Sequence, residues 1–173
     1  MIAVAVLAAD QASKAAVLSR LTGNATDSTA LTPFLDLALR WNRGISFSLF
    51  AQDSTLGLAL LLGGTLAATA LLGWWLMRSR TYLAAAGLGA IIGGALGNAV
   101  DRIAHGAVVD YLDLHAFGRH FFVFNLADAA INIGVALLLL DLALGSRAPD
   151  RREEPIFRRG RTEAYWFSRG NVR

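Results

Sequence analysis

Phe124-Asn125-Leu126-Ala127-Asp128-Ala129-Ala130-Ile131-Asn132-Ile133-Gly134 opens the last long apolar stretch of the chain, which runs on through Leu140. A carboxylate at the mouth of a membrane-length helix is costly. Ionisable groups inside a bilayer face protein or water rather than lipid, and by default they mark a functional site. Asp128 therefore needs partners, and the other segments are read for groups that can meet it.

Composition sets the solvent. The 173 residues are 55% hydrophobic and 17% charged, with a mean hydropathy of +0.47. A soluble domain carries about 25% charged residues, so this balance points to a membrane. With no Cys, a disulfide framework, a thiol nucleophile and a Cys-ligated metal are excluded. Eight of the 16 Lys and Arg residues fall in the last 27 positions. A basic tail after an apolar segment suits the cytoplasmic face better than a nucleic-acid partner.

Four apolar segments are expected. Met1 to about Leu21 is the first. It reads as a retained helix rather than a cleaved leader, because no basic region precedes the apolar run and Asp10 and Lys14 interrupt it. These two residues are four apart, so they share a helix face and can pair. Thr55 to Met77 is uncharged for 23 residues, enough to cross about 30 Å of hydrocarbon. It ends on Trp74 and Trp75, residues typical of the interface. Tyr82 to Val100 is rich in Gly and Ala, which let helices approach closely. Asn125 to about Gly145 is the fourth span.

Two polar connections separate these spans. In residues 22–54, TGNATDST reads as turn and Leu35 to Phe50 as short strands or a half-buried hairpin. In residues 101–123 a strand is expected over 119–124. Residues 1–145 thus form one membrane domain, and 146–173 a basic cytoplasmic tail expected to be flexible. Arg78, Arg80 and the tail share one side of a four-span chain, which the positive-inside rule makes cytoplasmic. Both termini are then inside. Asn98 and Asp101 near the end of the third span, and Asn125 and Asp128 at the start of the fourth, converge near the outer face.

The candidate carboxylates are Asp10, Asp101, Asp110, Asp113 and Asp128. Two carboxylates facing each other in a partly dry site cannot both ionise easily. Such a pair can activate water and polarise a carbonyl. Taken singly, each reads equally as a helix cap or a surface charge: Asp110 as a turn or cap residue, Asp101 as an ion pair with Arg102, Asp128 as a charge favoured by its helix dipole. The three histidines show no HExxH spacing, so no metal is expected. No G-x-S-x-G elbow offers a serine nucleophile. The competing classes are a proton-conducting protein using Asp10, Lys14 and Asp128 as a relay, and a structural subunit with polar interhelical bonds.

Five motifs occur in order between the spans: Asp10-Gln11-x-x-Lys14, Asn42-x-Gly44-x-x-Phe47, Gly97-Asn98-x-x-Asp101-Arg102, Val108-Val109-Asp110-Tyr111 and Phe124-Asn125-x-Ala127-Asp128-x-x-Ile131. Together they resemble the lipoprotein signal peptidases (signal peptidase II), over about residues 5 to 140. The resemblance implies a mainly α, integral-membrane fold of four transmembrane helices with a small extracytoplasmic β-cradle and a short interfacial helix. It implies an aspartic endopeptidase of the bacterial inner membrane that cleaves the signal peptide just before the diacylglyceryl-modified Cys of a prolipoprotein. By the same resemblance Asp110 and Asp128 are the catalytic pair, a choice that spacing alone leaves open. Asn42, Asn98, Arg102 and Asn125 would line the pocket, Asp10 and Lys14 would brace it, and Gly44, Asp101 and Ala127 complete the supporting motif positions. No cofactor is expected; the expected partners are the prolipoprotein and membrane lipids, with no nucleic acid, and the chain is expected to act as a monomer.

Overall fold

The computed structural model describes residues 1–21, 28–43 and 55–145. The tail 146–173 and the motif positions Gly44 and Phe47 lie outside the described residues. The chain runs α1 (Ile2–Arg20), β1 (Ser28–Thr32), β2 (Leu35–Asn42), α2 (Thr55–Leu76), α3 (Tyr82–His105), β3 (Val108–Ala116), β4 (Arg119–Phe124) and α4 (Leu126–Gly145). Four of these helices are long and apolar enough to cross a membrane, with the second candidate span beginning at Leu56. The chain is a multi-pass membrane protein with one small antiparallel sheet, strand order β1-β2-β3-β4.

α3 sits at the centre, packed against α1, α2 and α4. Its small residues make that possible. A Cβ on Gly87 would meet the Gly134 carbonyl oxygen at 2.7 Å, and one on Gly134 would meet the Gly87 oxygen at 2.6 Å. A Cβ on Gly94 would run into the Ala127 carbonyl oxygen and sit 2.9 Å from Ile131 Cγ1. Lipid tails are as apolar as these side chains, so close packing rather than water exclusion holds the helices together.

The ends of α3 follow from its flanks. Thr81 caps the start by accepting the Ala84 N–H at 3.1 Å. Gly106 ends it in the left-handed region at φ 69, donating its N–H to the Arg102 carbonyl at 3.0 Å. The helix therefore runs past Val100, where the sequence reading ends its apolar span, to His105. Asp101 and Arg102 belong to its last turns, not to the connection.

The outer segments hold more strand than the sequence suggests. β1 begins at Ser28, inside a stretch read as turn, and β3 is a nine-residue strand where only β4 was expected. Asp110 consequently lies within a strand rather than in a turn or cap. β2 pairs with β3 so that Asn42 faces Val108 and Arg40 faces Asp110, with a register shift between Leu37 and Arg40. Such bulges sharpen local twist and often adjoin functional sites. Val17 of α1 closes the space beneath this sheet, clustering with Leu39, Val109 and Tyr111. The described parts of both polar connections are strands and helix ends, with no short interfacial helix among the described residues.

The α3–α4 contact has no room for an added side chain at Gly94. Gly94→Val should cost about 1–3 kcal/mol or more through overpacking. Gly73→Val, where nothing lies within 4 Å of an added Cβ, should leave stability nearly unchanged. Thermal unfolding of the two variants in detergent checks the difference.

Candidate active site

A buried ammonium group anchors the site. Lys14 is 2% exposed and Asp10 0%. The Lys14 Nζ lies 2.8 Å from Asp10 Oδ2 on its own helix and 2.8 Å from Asp101 Oδ2 on α3, and donates to Asn98 Oδ1 at 3.1 Å. Desolvating such charges costs several kcal/mol per ion, so the remaining lone pairs must also be satisfied. Asp10 Oδ1 accepts the Ala127 N–H at 2.9 Å, an amide in the first turn of α4 that helix geometry leaves without an internal partner. Asp101 Oδ2 accepts the Val109 N–H at 3.0 Å. Gln11 Nε2 donates to Asp101 Oδ1 at 3.0 Å and to the Gly97 carbonyl at 3.1 Å. Each carboxylate thus ties a further element to α1 and α3: Asp10 holds the start of α4, and Asp101 holds β3 one residue before Asp110.

Asn125 joins the two remaining carboxylates. It occupies the single position between β4 and α4 and is fully buried. Its Oδ1 accepts the Asp128 N–H at 2.9 Å, while its own N–H donates to Asp128 Oδ2 at 3.3 Å. This reciprocal pair is the capping-box pattern, which fixes the first turn of α4. The Asn125 Nδ2 donates to Asp110 Oδ1 at 2.7 Å and to Asn98 Oδ1 at 3.1 Å. Asn98 Nδ2 donates to Asp128 Oδ1 at 2.8 Å, and Asn42 Nδ2 donates to Asp110 Oδ2 at 2.9 Å. All these side-chain donors are amides.

The electrostatics follow. Burial pushes the Asp110 carboxyl above the usual carboxylate range, and the nearby charge of Asp128 adds to the push. The hydrogen bonds from Asn42 and Asn125 and the charge of Lys14 oppose it. Arg102 lies within electrostatic reach of Asp128, Asp101 and Asp110. It donates from Nη1 to the Asn98 carbonyl at 3.2 Å, and its buried Nε has no hydrogen-bond partner among the described residues. A guanidinium edge held beside two carboxylates with a donor to spare can bind a carbonyl.

Asp10, Lys14, Asn42, Asn98, Asp101, Arg102, Asp110, Asn125, Ala127 and Asp128 therefore converge, drawn from α1, α3, α4 and the sheet. Asp101 departs from one expectation: its bonds go to Lys14, Gln11 and the Val109 amide rather than to the adjacent Arg102. Asp113 stands apart, with Oδ2 on His120 Nδ1 at 2.9 Å. Asp36 and His115 make a parallel link at 3.0 Å. Among the described residues no group of three or more His, Cys, Asp or Glu is arranged to hold a metal ion. Sequence reasoning gave no role to Ser13, whose hydroxyl lies 2.7 Å from the Tyr111 hydroxyl and donates to the Asp10 carbonyl. Nothing in its spacing signals that bond, although Tyr111 lies inside a quoted motif.

A family model described as signal peptidase (SPase) II matches residues 2–144. The chain is 44% identical over 153 residues to the lipoprotein signal peptidase of Methylobacterium sp. (strain 4-46), covering 88% of this chain and 93% of that one. It is 49% identical over 150 residues to the lipoprotein signal peptidase of Nitrobacter hamburgensis, covering 84% and 92%. Among solved structures, a bacterial membrane enzyme determined in meso at 2.3 Å superposes with a TM-score of 0.73 at 27% identity, covering 88% of this chain and 91% of the other. A second such enzyme, at 1.9 Å, gives 0.70 at 29% identity, covering 82% and 89%.

Lys14→Met should leave Asp10 and Asp101 buried without their cation. Breaking a buried pair in this way costs about 3–5 kcal/mol. Thermal unfolding in detergent checks it, and a melting temperature close to that of the unaltered chain would contradict the role given to Lys14.

Proposed function

This chain belongs to the signal peptidase II family, and from that membership we propose that it is an aspartic endopeptidase that removes the signal peptide from prolipoproteins. Asp110 and Asp128 act as the catalytic pair, and the cut falls just before a Cys carrying diacylglyceryl. One observation carries the aspartic assignment. Two carboxylates from separate elements, Asp110 on β3 and Asp128 on α4, are hydrogen-bonded by the same buried asparagine, Asn125.

The division of labour follows from their surroundings. Asp110, pushed toward its protonated form by burial and by Asp128, holds the resting proton and donates a hydrogen bond to the scissile carbonyl oxygen. Asp128, in the first turn of α4, takes a proton from the attacking water. The new carbon–oxygen bond forms as the carbonyl electrons move onto oxygen, which Asp110 stabilises. Collapse of this tetrahedral species breaks the carbon–nitrogen bond, and the proton held by Asp128 passes to the leaving nitrogen. Proton transfer by a placed group contributes about 10²–10⁴-fold.

The other residues support this chemistry by position. Arg102, whose Nε has no partner among the described residues, orients a peptide carbonyl beside the pair. Asn42 and Asn98 hold the outer oxygens of the two carboxylates. Asp10, Lys14 and Asp101 brace the elements that carry them. Ala127 is fully buried where α4 meets α3, and its amide fixes Asp10. Gly44 keeps the role its motif position implies. The positive-inside rule puts Arg78 and Arg80 in the cytoplasm, so both termini are cytoplasmic and the site opens near the outer face of the bacterial inner membrane. The substrate's acyl chains stay in the bilayer while its peptide passes between helices and sheet.

Asp110→Asn and Asp128→Asn should each abolish processing of a lipidated prolipoprotein, read as a gel shift with purified protein, while leaving the fold intact by circular dichroism. Near-normal processing by either variant would contradict the assignment. The Asn42 amide favours the ionised form of Asp110; its removal in Asn42→Ala therefore raises the Asp110 pKa. The alkaline limb of the kcat/KM profile should move to higher pH, and a limb that stays or moves down would assign the resting proton elsewhere.

A further inference from the structure

The sheet carries apolar surface that neither the core nor the site uses. β3 and β4 are joined by Phe117-Gly118, flanked by the paired residues Ala116 and Arg119. Both central residues have positive φ, 52 at Phe117 and 72 at Gly118. A two-residue hairpin of this hand favours Asn or Asp followed by Gly. A bulky aromatic in the left-handed region is an outlier whose strain has to be compensated. Among the described residues nothing does so, since Phe117 is 99% exposed.

The neighbouring tip repeats the pattern. Phe34, between β1 and β2, is 57% exposed, and its carbonyl accepts the His115 N–H at 2.9 Å, which ties the two tips together. Along β4, Phe121 is 60% and Phe122 56% exposed, on opposite faces of the strand, with the Phe122 ring 5.5 Å from that of Phe124. β4 is an edge strand. An exposed aromatic edge of this kind is an association hazard in water. The acidic groups at this end, Asp36 and Asp113, are turned to His115 and His120, while Arg119 is exposed next to the tip.

We propose that the Phe117-Gly118 tip, together with Phe34 and the β4 edge, is a second membrane contact, seated in the headgroup layer of the leaflet where α4 begins. Continuity selects lipid as the occupant. Only Asn125 separates the end of β4 from the first residue of a membrane-length helix, so the strand starts at the bilayer surface. Interfacial segments that combine Phe with Lys or Arg sink their apolar side about 5–10 Å into the headgroup/acyl boundary, and Arg119 can meet lipid phosphates. Depth is limited by the strand's outer backbone groups, which water can reach at the interface but not in hydrocarbon. Six residues of β4 give a lever of about 20 Å. Pinned at its far end, this lever sets the height of β3, and so of Asp110, over Asp128. The inference rests on the membrane-spanning helices and not on the peptidase reading.

The chain contains no Cys, so a single Phe117→Cys carries one environment-sensitive fluorophore. Thr29→Cys on exposed β1 serves as the reference. In vesicles of phosphatidylethanolamine and phosphatidylglycerol, a headgroup-attached nitroxide lipid should quench the Phe117 label several-fold more than the Thr29 label. A nitroxide deep in the acyl chain should quench it less than the headgroup probe does. Equal quenching at both positions, or stronger quenching by the deep probe, would overturn the proposal. So would a label that is unquenched in vesicles but shifts when a signal-sequence peptide is added, which would make the edge a peptide site. Phe117→Asn supplies the residue the turn prefers. In detergent it should melt at the same temperature or higher; a lower temperature would mean that the aromatic serves the fold.

Discussion

Lys14 is a cation removed from water, and the structure is arranged around satisfying it. Its ammonium group meets Asp10 from the same helix, Asp101 from α3 and the side-chain Oδ1 of Asn98. The charge would be unaffordable on its own at this depth. It is tolerated because each carboxylate has further donors, among them one backbone amide from an element that carries the proposed chemistry. Ala127 lies in the first turn of α4 and Val109 precedes Asp110. A chain of bonds thus runs from one buried charge to both proposed catalytic residues without touching either directly.

This arrangement separates two tasks. The inner network is ionic, closed and suited to fixing elements. The outer one is built from amides, with Asn42, Asn98 and Asn125 around Asp110 and Asp128. Amides can donate to a carboxylate without supplying a full compensating charge. That suits the proposed sharing of one proton by the pair, which a directly bonded lysine would oppose. Close approach of α3 and α4 through Gly87, Gly94 and Gly134 is what lets Asn98 reach Asp128.

Much of this was legible in the chain itself. Four apolar runs predict four helices within a few residues of those observed, because a charge-free stretch of that length has few other solutions. The end of α3 was misplaced since Asp101 and Arg102 look like loop residues until their buried partners are known. β1 and β3 were missed for a related reason: TGNATDST reads as turn, and the polar residues of DYLDLHA hide a strand whose carboxylates are spent on Asn42, Asn125 and His120. Spacing placed several carboxylates near one face but could not choose among them. Only the ordered motifs singled out Asp110 and Asp128, and the reciprocal bonds of Asn125 supply a physical reason for that choice. The φ of Phe117 left no trace in sequence beyond the following glycine.

The account stands on two carboxyl groups sharing one hydrogen ion. Infrared titration of the protein in lipid vesicles, following the carbonyl stretch of protonated carboxyl groups, tests it most directly. An ordinary aspartate loses its proton near pH 4, as a rough guide. A protonated carboxyl that persists well above that range, and disappears in Asp110→Asn, is the predicted result. A spectrum in which every carboxyl ionises in the ordinary range, or in which the persistent band is untouched by Asp110→Asn, would contradict it.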